Sequence, residues 1–213
     1  MIEEQIHQYL HSLLPKKADW VIELEKQAKA DNVPIMEPAS MHFVMQLVKM
    51  LKPNNILEIG TAIGYSALRM VDAYEHTKLL TIERDEKRYN QAIKNIKQLG
   101  KTGQVSVIFG DATEEIQKLQ NKNDRFQIIF IDAAKGQYKR FFELAVPLLD
   151  NQGVIISDNV LFRGQVLNPE EVNKKHRNMV KKINDYNNFI MKHPDFTSSI
   201  IPIGDGVAIS MKK

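Results

Sequence analysis

Leu57-Glu58-Ile59-Gly60-Thr61-Ala62-Ile63-Gly64-Tyr65-Ser66-Ala67-Leu68 is the stretch on which the reading of the chain turns. Asn54-Asn55 breaks the chain ahead of it, Ile56 to Ile59 predicts a short buried strand and Ser66 onward predicts a helix, so the glycines fall where strand turns into helix. At such a turn Gly60 can take backbone angles closed to other residues, and Gly64 can let backbone approach a ligand near the exposed N–H groups of a helix start. A dinucleotide fingerprint would need G-x-G-x-x-G, and a P-loop would need a following Gly-Lys-Ser/Thr; neither is present. What the stretch offers instead is acid. Glu58 stands just before the turn, and Glu83 closes the next apolar run, Leu79-Leu80-Thr81-Ile82, where a carboxylate suits the hydroxyl pair of a ribose.

Working outward, strand-like and helix-like segments alternate. Ile56 to Ile59, Lys78 to Glu83, Val105 to Phe109, Gln127 to Asp132 and Gly153 to Asp158 read as strands, with helices over Ser66 to Tyr74, Asp85 to Leu99, Thr113 to Leu119 and Tyr138 to Leu149. Asp85 is a good N-cap. Apolar runs such as Ile128-Ile129-Phe130-Ile131 demand burial on both faces, which predicts a parallel α/β sheet. Ahead of this core, Ile2 to Leu14 and Asp19 to Ala30 predict two helices split at Pro15, and Pro38 suits the first turn of a third running through Leu51. His7 and His11 lie one turn apart, with no further ligand nearby to complete a zinc site. Trp20 reads as a packing residue. Met36, on the extended approach to the third helix, can either cover a ligand or simply be buried.

Composition narrows the classes. The chain of 213 residues is 43% hydrophobic and 26% charged, which is globular. It has no apolar run long enough to cross a membrane and begins without a basic, then apolar leader, so a cytoplasmic, non-membrane protein is expected. The absence of cysteine excludes disulfides, thiolate metal sites and cysteine nucleophiles. A net charge of +3 permits an anionic partner without requiring one.

In an open parallel sheet the ligand sits beyond the C-terminal strand ends, and those ends carry Glu58, Glu83, Asp111, Asp132 and Asp158-Asn159. Glu83 and Asp111-Ala112 can serve the ribose and base of a nucleoside, with Glu58 toward the loop. Asp132, Asp158 and Asn159 put two carboxylates and an amide oxygen at the ends of neighbouring strands; hard oxygen donors without histidine or thiol select magnesium, calcium or manganese. Helix caps and a turn asparagine are the plain alternative. Lys135 follows Asp132 by three positions, and near a divalent cation it can act as a general base.

The run Glu58 to Ser66, the strand end Asp132-Ala133-Ala134-Lys135 and the pair Asp158-Asn159 together resemble the metal-dependent class I O-methyltransferases of the catechol and caffeoyl-CoA type. The resemblance extends from Met36 to Gly204-Asp205-Gly206-Val207. It implies a Rossmann-like class I methyltransferase fold: one domain over 1–213, with N-terminal helices over 1–51 and the core over 52–213. Its seven-stranded, mostly parallel sheet would carry helices on both faces and end in an antiparallel hairpin, placed here at Ile200 to Ile203 and Gly206 to Met211. It implies S-adenosylmethionine held by Met36, Glu58, Gly60, Tyr65, Ser66, Glu83, Asp111, Ala112 and Asp132. It also implies Mg²⁺ on Asp132, Asp158 and Asn159, Lys135 as catalytic base, and a homodimer.

Arg163, Lys174, Lys175, His176, Arg177, Lys181 and Lys182 follow the metal pair, with Lys135, Lys139 and Arg140 near the same edge. Such a cluster is either a solvated helix face or a grip on the phosphates of a polynucleotide. The nearest likeness within the family is to the bacterial branch that methylates 5-hydroxyuridine at the wobble position of tRNA. The expected partner is therefore the tRNA anticodon loop, and the alternative acceptor is a small catechol-like phenol. A nicotinamide-binding reductase is disfavoured by the missing middle glycine, and a non-catalytic nucleoside binder by the Asp132, Lys135, Asp158 and Asn159 set.

Overall fold

Five apolar segments pair side by side as parallel strands: β1 (Asn55–Ile59), β2 (Lys78–Glu83), β3 (Val105–Phe109), β4 (Phe126–Ile131) and β5 (Leu149–Ser157). β6 (Phe196–Ile201) and β7 (Val207–Lys212) form the expected antiparallel hairpin and give the order β3-β2-β1-β4-β5-β7-β6. The computed structural model describes residues 2–213, without the side chains of residues 2–4 and 7. The side chain of His7 thus lies outside the described residues.

Three helices precede the sheet: α1 (Ile2–Ser12), α2 (Asp19–Ala30) and α3 (Pro38–Leu51). The Glu37 carboxylate caps α3 by accepting from the backbone N–H groups of Ala39 and Ser40. The crossovers are α4 (Tyr65–Ala73), α5 (Glu86–Gln98), α6 (Ala112–Asn121) and α7 (Tyr138–Ala145), and α8 (Lys174–Met191) leads into the hairpin. Two apolar layers result. Val44, Val48, Leu68, Ile128 and Phe130 belong to one, while Ile59, Ile129, Phe142, Leu148 and Ile190 belong to the other. β4 contributes to both, which is why it reads as an unbroken apolar run.

Three boundaries differ from expectation for local reasons. The helix expected to reach Leu149 stops at Ala145 and tightens into a 3₁₀ turn over Val146–Leu148, because Pro147 has no N–H to continue the ladder. β5 starts at Leu149 rather than Gly153, with a register shift opposite Phe126 to Ile128. The hairpin begins at Phe196, whose ring is buried in the core.

The strand order reverses between β1 and β4, and there the C-terminal ends part to leave a crevice. Backbone bonds fix the ends in sequence: Gly60 N–H donates to Ile82 O, Asp132 N–H to Ile59 O, and Asp158 N–H to Ile131 O, at 3.1, 3.0 and 3.1 Å. The residues that close four adjacent strands are thereby held at one height.

Candidate active site

The crevice is a cavity of about 870 Å³. Of the residues expected at the cofactor and metal, Met36, Gly60, Glu83, Asp111, Ala112 and Asp132 line it, and so do Asp158, Asn159 and Lys135. Glu58, Tyr65 and Ser66 do not. All three are buried: Ser66 donates to Glu58, and the Tyr65 hydroxyl donates to Glu25 of α2.

Gly60 has φ +104°, and a Cβ there would stand 2.1 Å from the carbonyl oxygen of Asp132, so loop and β4 end touch backbone to backbone. Gly64 also has positive φ, +83°, but it faces away from the cavity, toward Ala92 of α5. A Cβ there would meet the Ala92 methyl at an ordinary 3.6 Å, so it is the positive φ, not crowding, that favours glycine at this turn. Beneath the loop the Glu58 carboxyl accepts from Ser66 Oγ at 2.5 Å and from Thr81 Oγ1 at 2.6 Å, with Thr61 Oγ1 a further 2.6 Å from Thr81 Oγ1. Complete burial pushes the Glu58 carboxyl up to about 8 against the opposing pull of the two hydroxyl donors, so it keeps its proton at neutral pH. A neutral acid inside a hydroxyl cluster is a brace.

Glu83 reaches across from β2. Its Oε2 accepts from Ala62 N–H at 2.8 Å, and its Oε1 accepts from the N–H groups of Arg84 and Asp85 at 2.9 and 2.8 Å. Those bonds orient the carboxylate and occupy both lone pairs of Oε1, so Oε2, with one donor, keeps acceptor capacity for a ligand. Asp111 caps α6 through Thr113, and the Thr113 hydroxyl and amide bonds hold its carboxyl below the usual range. This leaves an ionised acceptor beside Ala112.

At the other end of the cavity the electrostatics invert. Asp158 is 1% exposed, and both its carboxylate oxygens are without a hydrogen-bond partner. Burial, then repulsion from Asp132, raises its carboxyl well above the usual range. Asp132 is raised as well, by lost hydration, with the charge of Lys135 opposing. Lys135 sits on a 3₁₀ turn (Lys135–Gln137), and its Nζ donates to Asn159 Oδ1 at 2.5 Å. Asn159 holds φ +56°, a conformation asparagine tolerates better than most residues. Two neighbouring carboxylates, one of them wholly unsatisfied, with an amide oxygen beside them, fit a hard divalent cation. Among the described residues no group of three or more His, Asp or Glu is placed to hold a metal, so the amide is essential to any such set.

Several residues here escaped the sequence reading. Tyr138, the first residue of α7, has a buried hydroxyl without a partner, and burial together with the charges of Asp132 and Asp158 drives it well above its ordinary value. Phe141 and Phe162 bring aromatic rings to the lining, and Asp205 enters it from the turn between β6 and β7. Only Asp205 carried a signal, a lone acid between Gly204 and Gly206.

A profile described as O-methyltransferase matches residues 12–213. The chain belongs to the O-methyltransferase family. A catechol O-methyltransferase of Niastella koreensis is 32% identical over 170 residues, covering 78% of this chain and 77% of that protein. Among solved structures, a caffeoyl-CoA O-methyltransferase candidate from Staphylococcus aureus is 36% identical with TM-score 0.88, covering 100% of this chain and 99% of that one. An O-methyltransferase from Bacillus cereus in complex with SAH is 29% identical with TM-score 0.87, over 100% of both chains. The expected fold and the expected catechol and caffeoyl-CoA kinship are thus found, and the protein is an S-adenosylmethionine-dependent O-methyltransferase. No helix among the described residues is long and apolar enough to cross a membrane.

Proposed function

We propose that this methyltransferase transfers the methyl group of S-adenosylmethionine to the 5-hydroxyl of 5-hydroxyuridine at the tRNA wobble position, giving 5-methoxyuridine, with Mg²⁺ or another hard divalent cation. The observation that carries the reading is a floor of hard oxygen ligands, Asp132, Asp158 and Asn159, opening past Arg163 and His176 in one cavity. Such a floor calls for an acceptor with two adjacent oxygens, and the Arg163 guanidinium in the same lining suits an anionic continuation of it. A 5-hydroxyuridine offers its 5-hydroxyl beside the O4 carbonyl, and an anticodon loop can splay that base outward with its phosphates attached.

The residues divide the work. Glu83 would take the ribose hydroxyls of the cofactor, Asp111 and Ala112 the adenine edge, and Gly60 and Met36 the methionine end. Glu58 and Ser66 would act through the loop they support, and Tyr65 through its bond to Glu25 of α2. Asp132, Asp158 and Asn159 would hold the metal, and Lys135 would remove the acceptor proton. The bound cation would supply Lewis acidity, lowering the acceptor hydroxyl's pKa. Exposed Ile6, Tyr9 and Leu10 on α1, with Leu13 just after it, support a homodimer.

A small phenol is the second reading, favoured by the Phe141 and Phe162 rings in the lining and by the catechol methyltransferase among the relatives. Labelled S-adenosylmethionine and Mg²⁺ should be incubated with the enzyme and either tRNA bearing 5-hydroxyuridine or a catechol. Label is expected in the tRNA; label in the catechol alone overturns the tRNA reading.

A further inference from the structure

The first nine residues of α8, Lys174 to Lys182, carry five formal positive charges and no acid. That exceeds the net charge of the whole chain, +3, so the rest of the molecule is net acidic. The positive charge is collected on two and a half turns of one helix.

Those charges share a side. Val180, Ile183, Tyr186, Asn187 and Ile190 form the buried stripe of α8. At 100° per residue, Lys174, Arg177 and Lys181 fall on the arc opposite that stripe and Lys175 and Lys182 on its flank, and all five are exposed. Some lysines elsewhere pair with acids, Lys17 with Glu25, Lys26 with Glu23 and Lys118 with Glu115, at 2.7, 2.8 and 2.6 Å. On α8 none of the five is in an ion pair among the described residues; Arg177 donates only to the backbone carbonyl of Glu170. The first turn holds no acid, although helix starts favour anions and disfavour cations. Local stability would place the charges otherwise.

The arc leads to the cavity. Lys182 lies against Gly136, its Cδ 3.5 Å from where a Cβ would stand, and Gly136 is in the 3₁₀ turn that carries Lys135. His176, on the first turn, is part of the lining itself. Lys174 and Lys181 are seven residues apart, roughly 10 Å along the axis, a length over which a nucleic acid strand presents about three phosphates.

We infer that this face of α8 is the track on which an RNA backbone docks, delivering the target nucleotide past His176 into the cavity. The inference rests on the tRNA reading above and adds the surface that selects a polyribonucleotide over a free phenol. Phosphate contacts of this kind set position and affinity; the metal-type floor would read the base.

The test uses the full-length enzyme and a fluorescent hairpin of anticodon stem-loop size carrying 5-hydroxyuridine, titrated by anisotropy across salt concentrations. In a Lys174→Gln/Lys175→Gln/Lys181→Gln/Lys182→Gln variant, affinity should fall at least about tenfold. The slope of log K against log salt should flatten by roughly 3, at about 0.7 per lost single-strand contact. Lys52→Gln/Lys78→Gln, at the opposite end of the sheet, should leave the slope unchanged, and thermal melts check that each variant folds. A folded quadruple variant with the wild-type slope, in an enzyme that still methylates the hairpin, overturns the track and leaves the tRNA reading standing. Wild-type enzyme that methylates a catechol yet shows no salt-dependent hairpin binding overturns both.

Discussion

Lys135 Nζ donates to Asn159 Oδ1 at 2.5 Å, which sets the proposed base on the same oxygen that a metal would need. An ammonium and a divalent cation cannot share one amide oxygen without strong repulsion. Lys135→Met should therefore bind Mn²⁺ more tightly than wild type, by about fivefold to tenfold, while losing methyl transfer. Asp158→Ala should lose Mn²⁺ binding altogether and keep cofactor binding. Titration calorimetry with Mn²⁺ and with S-adenosylhomocysteine measures both; weaker Mn²⁺ binding by Lys135→Met would contradict the shared-oxygen account.

Glu58 predicts an unusual pH dependence of stability. Its carboxyl is raised to about 8 by burial, so the folded protein holds a proton that the unfolded chain releases near the ordinary value of 4.5. The stabilising contribution of that proton is full below pH 4.5 and is lost as pH rises through about 8. Its full size is on the order of a few kcal/mol. Glu58→Gln, neutral at every pH and able to keep hydrogen bonds to Ser66 and Thr81, should flatten this decline. Urea melts between pH 5 and 8.5 give the slope; parallel slopes for wild type and variant would show that Glu58 is already ionised.

How much of this was legible in the sequence follows from which forces were local. The strand run Ile128 to Ile131, the cap at Asp85, which accepts from Arg88 N–H at 2.9 Å, and the positive φ of Gly60 are each dictated by a few neighbouring residues and were readable. Strand ends could be listed from the sequence, and the α/β rule gathers them at one edge. The direction each side chain faces within that edge could not be listed. Glu58 and Glu83 look alike in the sequence as acids closing strands, but Glu58 points under the loop toward Ser66 and Thr81, while Glu83 points over it toward Ala62. Phe162 and Asp205 come to the cavity from the connection after β5 and from the β6–β7 turn, whose paths depend on contacts distant in the chain.

The Tyr138 hydroxyl is buried without a partner while its ring packs edge-on against Tyr186 at 5.5 Å. Removing an unsatisfied buried hydroxyl while keeping the ring should not cost stability. Tyr138→Phe is expected to melt at or above the wild-type temperature, with a gain of up to about 1 kcal/mol. Loss of more than about 1 kcal/mol would mean that the hydroxyl has a partner in solution, and Asp158 would be the first to examine.

Gly60 and Gly64 separate the roles of two glycines that the sequence presents as a pair. A Cβ at Gly60 would stand 2.1 Å from the Asp132 carbonyl oxygen, and neither backbone segment can move without shifting the end of β4. Gly60→Ala should therefore destabilise the protein by more than about 2 kcal/mol and abolish S-adenosylhomocysteine binding. At Gly64 the nearest atom to a Cβ would be the Ala92 methyl, at an ordinary 3.6 Å, leaving mainly the penalty for φ +83°. Gly64→Ala should cost about 1 kcal/mol and bind the cofactor product within a fewfold of wild type. Calorimetric titration of both variants decides the matter, because equal loss of binding would place Gly64 at the ligand after all.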